Sequence, residues 1–81
     1  MVEYEILAVR IVAGESLNPS WHTKMQIIET DKGKFLDNIP TKQFGFLKKA
    51  KPGYDWNTLI GKKVRNVKIF DSKGFQWINM Q

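Results

Sequence analysis

The chain contains no cysteine, and this absence excludes two common ways of stabilising a small protein. Without cysteine there is no disulfide framework and no thiolate metal site, so the fold must be held by packing alone. The absence is also typical of a reducing compartment, and we expect a cytoplasmic protein. With 81 residues the chain has room for one hydrophobic core, so we expect a single domain over residues 1–81.

Long hydrophobic runs are missing as well. The longest one near the N-terminus, residues 6–12, is interrupted by Arg10. No run approaches the roughly 18 residues that a membrane-spanning helix needs. The first five residues are acidic, whereas a signal peptide begins with basic residues. We therefore expect a soluble protein with no membrane partner.

Residues for catalysis are equally scarce. His22 is the only histidine, and no spaced group of histidine and carboxylate side chains accompanies it, so neither a metal site nor a catalytic dyad is predicted. No serine lies in a nucleophile elbow, and the segment Gly61-Lys62-Lys63-Val64 lacks the upstream glycine and the Ser/Thr of a phosphate-binding loop. We expect a protein that is not an enzyme and needs no cofactor.

Alternating apolar residues predict five strands, over residues 2–12, 21–30, 34–39, 63–70 and 75–80. In the first strand, Leu7, Val9 and Ile11 are predicted to share a face. Turn residues at 31–33 and 71–74, each ending in glycine, predict two hairpins. The spacing of Val64, Val67 and Ile69 changes from three to two and predicts a bulge near Asn66.

The connection between the two hairpins does not alternate. Thr41 is a candidate cap for a short helix, and Asp55 is a better one for a single turn over residues 56–60 that ends at Gly61 and seats Leu59 and Ile60 on the core. The resulting order predicts an all-β fold, a small five-stranded OB-like barrel with one or two short helical turns between strands 3 and 4. An SH3-like barrel is the alternative, although it needs no such long insert.

The charge of the chain is concentrated in one stretch. Residues 41–70 hold eight lysine and arginine residues against one acid, a local charge of +7, whereas residues 1–40 hold four against six, a charge of −2. Clustered cations attract polyanions. The strongest candidates for binding a polyanion follow the predicted helical turn: Lys62, Lys63, Arg65 and Lys68. Two further candidates, Lys48 and Lys49, lie before it.

Ten aromatic residues accompany these cations. Filling the core of so small a domain takes large side chains, and we assign Phe35, Trp56, Phe70 and Phe75 to that task. The remaining rings are less constrained and are candidates for stacking on unpaired bases: Trp21, Phe46, Tyr54 and Trp77.

These patterns favour a non-enzymatic module that binds single-stranded nucleic acid through the ten candidate cations and rings. A protein-interaction module or small inhibitor is the alternative, in which the basic stretch docks on an acidic partner and Phe46 or Tyr54 is the anchor. A solvated surface would have the same charge. Self-association through residues 75–80 is a third possibility, if they form an exposed edge strand, since both faces of that strand are apolar.

Overall fold

The computed structural model describes residues 2–40 and 52–81. Their regular structure consists of six strands and two 3₁₀ turns. The strands are β1 (Tyr4–Ala13), β2 (Lys24–Thr30), β3 (Gly33–Asn38), β4 (Lys63–Val64), β5 (Val67–Ser72) and β6 (Phe75–Met80). The 3₁₀ turns are Gly14–Ser16, after β1, and Trp56–Leu59, before β4.

The six strands form one sheet in the order β4-β1-β2-β3-β6-β5. All neighbouring pairs are antiparallel except β3 and β6, which run parallel. Because β4 and β5 follow each other in the chain and stand at the two ends of this order, the sheet curls into a nearly closed, OB-like barrel. The predicted fold class is confirmed.

The count of six strands, instead of five, comes from one interruption. The predicted fourth strand breaks at Arg65 and Asn66, so that its first part pairs with β1 and its second part with β6. The break lies where the sequence predicted a bulge. Because of this break, one stretch of chain supplies the strands at both ends of the sheet order.

Both predicted hairpins are present. Gly33 follows the turn between β2 and β3 with a φ of 121°, which glycine adopts at little cost. Lys73 and Gly74 connect β5 to β6 with φ values of 53° and 84°. Two consecutive left-handed residues are typical of a type I′ turn, whose twist matches that of the strands it joins.

The core lies inside the barrel and includes the fully buried Trp56. Its other buried members are Ile6, Ile28, Phe35 and Ile78. The predicted grouping of Leu7 with Val9 on one face of β1 is wrong, because a register shift between Ile6 and Ala8 reverses the alternation there. Ile6 and Val9 therefore pack on the core, whereas Leu7 is exposed.

The turn at Trp56–Leu59 differs from its prediction in detail. Asp55 precedes it, but its side chain makes no capping hydrogen bond; instead, the Thr58 hydroxyl donates to the Asp55 carbonyl at 2.9 Å. Trp56 and Leu59 contact the core, whereas Ile60 is 45% exposed, so its predicted burial is wrong. The helix predicted from Thr41 lies outside the described residues.

Candidate functional site

A buried polar cluster holds the segment before the 3₁₀ turn against one end of the barrel. Gln26 and Asp37 are cross-strand neighbours on β2 and β3, and both are buried. The Gln26 carboxamide donates to the carbonyl oxygens of Asn38 and Tyr54, at 2.9 and 2.8 Å. The Asp37 carboxylate accepts from the Trp56 indole at 2.7 Å and from the backbone N–H of Tyr54 at 3.1 Å.

Glycine at position 53 makes this close approach possible. Its N–H donates to the carbonyl of Ile39 at 2.9 Å, and a Cβ there would overlap the carbonyl oxygen of Asn38. Burial raises the pKa of Asp37 above its ordinary value of 3.8, against the opposing effect of the N–H groups that donate to it. The cluster thus fixes the backbone of Tyr54, a residue that stays 40% exposed.

The outer face of the β5–β6 hairpin carries the candidate binding residues. Since Val67, Ile69, Ile78 and Met80 pack on the core, alternation directs the intervening residues outward. Cross-strand pairing then sets Lys68 opposite Asn79 and Phe70 opposite Trp77. Both faces of residues 75–80 are apolar because one packs on the core and the other forms part of this outer face.

Four rings lie together on the outer face: Trp21, Phe70, Phe75 and Trp77, which we call the outer aromatic patch. Phe70 stacks on Trp77 with an interplanar angle of 10° and a centroid distance of 6.2 Å. Trp21 reaches over from the β1–β2 loop and lies 5.6 Å from Phe75 and 5.7 Å from Trp77. All four rings are partly exposed.

Local hydrogen bonds hold the Trp77 ring and the backbone that carries Trp21. The β1–β2 loop is closed by the backbone N–H of Gly14, which donates to the Thr23 carbonyl at 2.9 Å, and the backbone N–H of Trp21 donates to the Asn18 carbonyl at 2.9 Å. The Trp77 indole donates to the carbonyl of Ser72 at 2.9 Å. The orientation of the Trp77 ring and the path of the loop at Trp21 are therefore supported by contacts within the protein.

Lys68 is the cation that adjoins the patch. Its ammonium lies 5.7 Å from the centroid of the Phe70 ring. Elsewhere, the ion pairs found within residues 2–40 and 52–81 join Arg10 to Glu29 and Lys32 to Asp31. No acid of the described chain forms an ion pair with Lys68, nor with the other three cations of its stretch, Lys62, Lys63 and Arg65.

The other predicted cations that the structure describes lie outside β5, the strand that carries Lys68. Lys63 lies opposite Glu5 on β1, at the other end of the strand order from Lys68, and Lys62 accepts the Ile6 N–H through its carbonyl at 3.0 Å. Arg65 is exposed within the break between β4 and β5. Lys48, Lys49 and Phe46 lie outside the described residues.

A pocket of about 410 Å³ opens at the barrel end beside the buried cluster, and we call it the end pocket. Its lining includes Asp37, Tyr54, Lys68 and Asn79. Two residues that the sequence singled out separately, Tyr54 and Lys68, thus meet on one pocket. Asn79 was not a candidate, because only strand pairing sets it beside Lys68.

Other kinds of site find little support in the structure. Within residues 2–40 and 52–81, no group of three or more histidine and carboxylate side chains is arranged to hold a metal ion. The same part of the chain includes no helix that is long and apolar enough to span a membrane. Comparisons with protein-family models, curated proteins and solved structures gave no match to this chain.

Proposed function

We propose that this protein is a non-enzymatic module that binds single-stranded nucleic acid on the outer face of its β5–β6 hairpin. The observation that carries the proposal is the outer aromatic patch, with the Lys68 ammonium 5.7 Å from one of its rings. Bases stack on such rings, while a neighbouring ammonium neutralises the phosphate between them.

The form of the patch favours an unpaired strand. Bases in a duplex already stack on one another and present only their edges, whereas a single strand can place base faces on protein rings. The rings also belong to the barrel surface next to the β1–β2 loop, a region through which OB-like barrels bind oligonucleotides. Because every base has such a face, we expect little sequence preference.

The remaining cations supply long-range attraction. The chain carries a net charge of +5, and Lys62, Lys63, Arg65 and Lys68 form no ion pair with a described acid. Few phosphates fit on so small a domain, so the affinity is modest and depends strongly on salt.

A fluorescence-anisotropy titration with labelled single-stranded DNA and RNA dodecamers, in about 20 mM and about 150 mM salt, tests the proposal. We expect binding at low salt and a clear loss at high salt. Lys68→Ala should reduce the logarithmic salt slope by about 0.7, the value for one lost contact to a single-strand phosphate. Trp21→Leu should weaken binding by about 1–3 kcal/mol, the value of one stacked base.

Lys32→Ala is the matched control for the lysine variant. It removes the same charge from the turn between β2 and β3, where Lys32 is paired with Asp31, and should leave the salt slope unchanged. Absence of binding at low salt would refute the proposal. If poly-glutamate displaced the strand at equal charge and Trp21→Leu had no effect, charge alone would account for binding and an acidic protein partner would be favoured.

A further inference from the structure

The end pocket and the outer aromatic patch share one residue. Lys68 lines the pocket, and the same ammonium lies over Phe70 of the patch. Asn79, opposite Lys68 on β6, also lines the pocket and is two residues from Trp77 on the same outward face. A strand lying on the patch therefore passes the mouth of the pocket at Lys68.

The charges that line the pocket determine which part of a nucleotide can enter it first. Asp37, at 3% exposure, contributes an acceptor at the floor, and the exposed Lys68 contributes a cation at the rim. A phosphate is repelled from the floor and attracted to the rim, so the neutral part of a nucleotide enters first. The exposed Tyr54 ring supplies a stacking surface, and a volume of about 410 Å³ lies within the range of small-ligand pockets.

Asn79 is the residue that can read the edge of an inserted base. Its carboxamide offers a donor and an acceptor together, the pair that a base edge presents. Within the described part of the chain this side chain donates and accepts no hydrogen bond. By contrast, the amide nitrogen of the buried Gln26 already donates to two backbone carbonyls, although its Oε1 accepts no hydrogen bond within the described residues.

We infer that the end pocket holds one unpaired nucleotide of the bound strand, with its base against Tyr54, its base edge on Asn79 and its phosphate on Lys68. This inference rests on the proposed function and adds to it a second contact region. It also enlarges the footprint, because a strand that enters the pocket and crosses the patch places several consecutive nucleotides on the protein.

The test measures the affinity of one labelled single-stranded dodecamer for wild type and variants. Asn79→Ala should weaken binding roughly threefold to tenfold, as expected for a lost hydrogen bond to the base. Tyr54→Leu removes the stacking ring but keeps an apolar cover over Trp56, and should weaken binding fivefold or more. Tyr54→Phe keeps the ring and should bind like wild type.

Asn57→Ala is the matched control for Asn79→Ala, because Asn57 is an exposed asparagine on the 3₁₀ turn that does not line the pocket. Thermal unfolding of each variant checks that the fold is intact. If Tyr54→Leu is unstable, the affinity of Asn79→Ala alone tests the pocket inference. If Trp21→Leu weakens binding while Asn79→Ala matches Asn57→Ala, the pocket inference is overturned and the proposed function stands. If the wild type binds no oligonucleotide, both fail.

Discussion

Replacing Trp56 with alanine should lower the free energy of unfolding by about 3–5 kcal/mol, because a fully buried aromatic side chain leaves a large cavity. Trp56 is the member of the core that comes from the segment between the two hairpins, and it contacts residues from several strands. The loss is a large share of the about 5–15 kcal/mol that stabilises a typical domain. Urea unfolding followed by circular dichroism measures it.

Trp56→Phe separates packing from hydrogen bonding. The phenyl ring fills most of the space but cannot donate to Asp37, which then keeps only the N–H of Tyr54 on the same carboxylate oxygen. We expect a loss of about 1–3 kcal/mol, smaller than that of the alanine variant. A loss below about 1 kcal/mol for Trp56→Ala would contradict the placement of this side chain in the core.

Replacing Asp37 with alanine should cost about 2–4 kcal/mol, because the buried Trp56 indole and the Tyr54 N–H lose their acceptor together. Asp37→Asn keeps one carbonyl oxygen that can accept from both groups, and it should cost less than half as much. Urea unfolding at neutral pH compares the two variants. Equal stabilities of wild type and Asp37→Ala would show that the carboxylate does not hold this segment.

The pH dependence of the same residue has a defined sign. Burial raises the pKa of Asp37 in the folded state above 3.8, so the folded protein binds this proton more tightly than the unfolded chain does. Its contribution to stability is therefore fully present below pH 3.8 and is lost as the pH rises through the raised folded pKa.

The stability of wild type relative to Asp37→Asn should accordingly fall as the pH rises through that window and then level off. Urea unfolding of both proteins at a series of pH values gives this difference directly. A difference that grows with pH would mean that the donated N–H groups outweigh burial, and would contradict the assigned direction.

The strands were predictable from the sequence because one face of each is covered. Alternation located the two hairpins, and glycine marked the turn at Gly33 and the one at Gly74. The phase change between Val64 and Val67 gave the break near Asn66. The bulge at Leu7 was not predictable, since a register shift depends on the partner strand and leaves a continuous apolar sequence.

The candidate site was predictable only in part. Trp21 and Trp77 were singled out and do contact each other, but Phe70 and Phe75 were assigned to the core and instead lie with them on the outer face, partly exposed. The composition indicates that a small domain needs aromatic rings, but it does not indicate whether a given ring lies on the core face or the outer face of a strand. Self-association through residues 75–80 loses its basis, because β6 pairs on both sides and is not an edge strand.

Strand pairing divides the charge cluster between the two end strands of the sheet, β4 and β5. Its members follow one another along the chain, but strand pairing sets Lys63 against β1 and Lys68 against β6. Of the described cations in the cluster, Lys68 is the one that contacts a ring of the patch. Sequence proximity alone therefore did not show which of the cations adjoins the rings.

The most direct test of the nucleic-acid interface is a titration of ¹⁵N-labelled protein with a single-stranded dodecamer at low salt, followed by NMR. We expect the indole N–H signals of Trp21 and Trp77 and the amide of Lys68 to shift together and saturate on one curve, while the amide of the buried Ile28, which lines neither the pocket nor the patch, does not move. No shift at low salt, or shifts confined to Lys62 and Lys63 at the β4 margin of the sheet, would contradict the proposed interface.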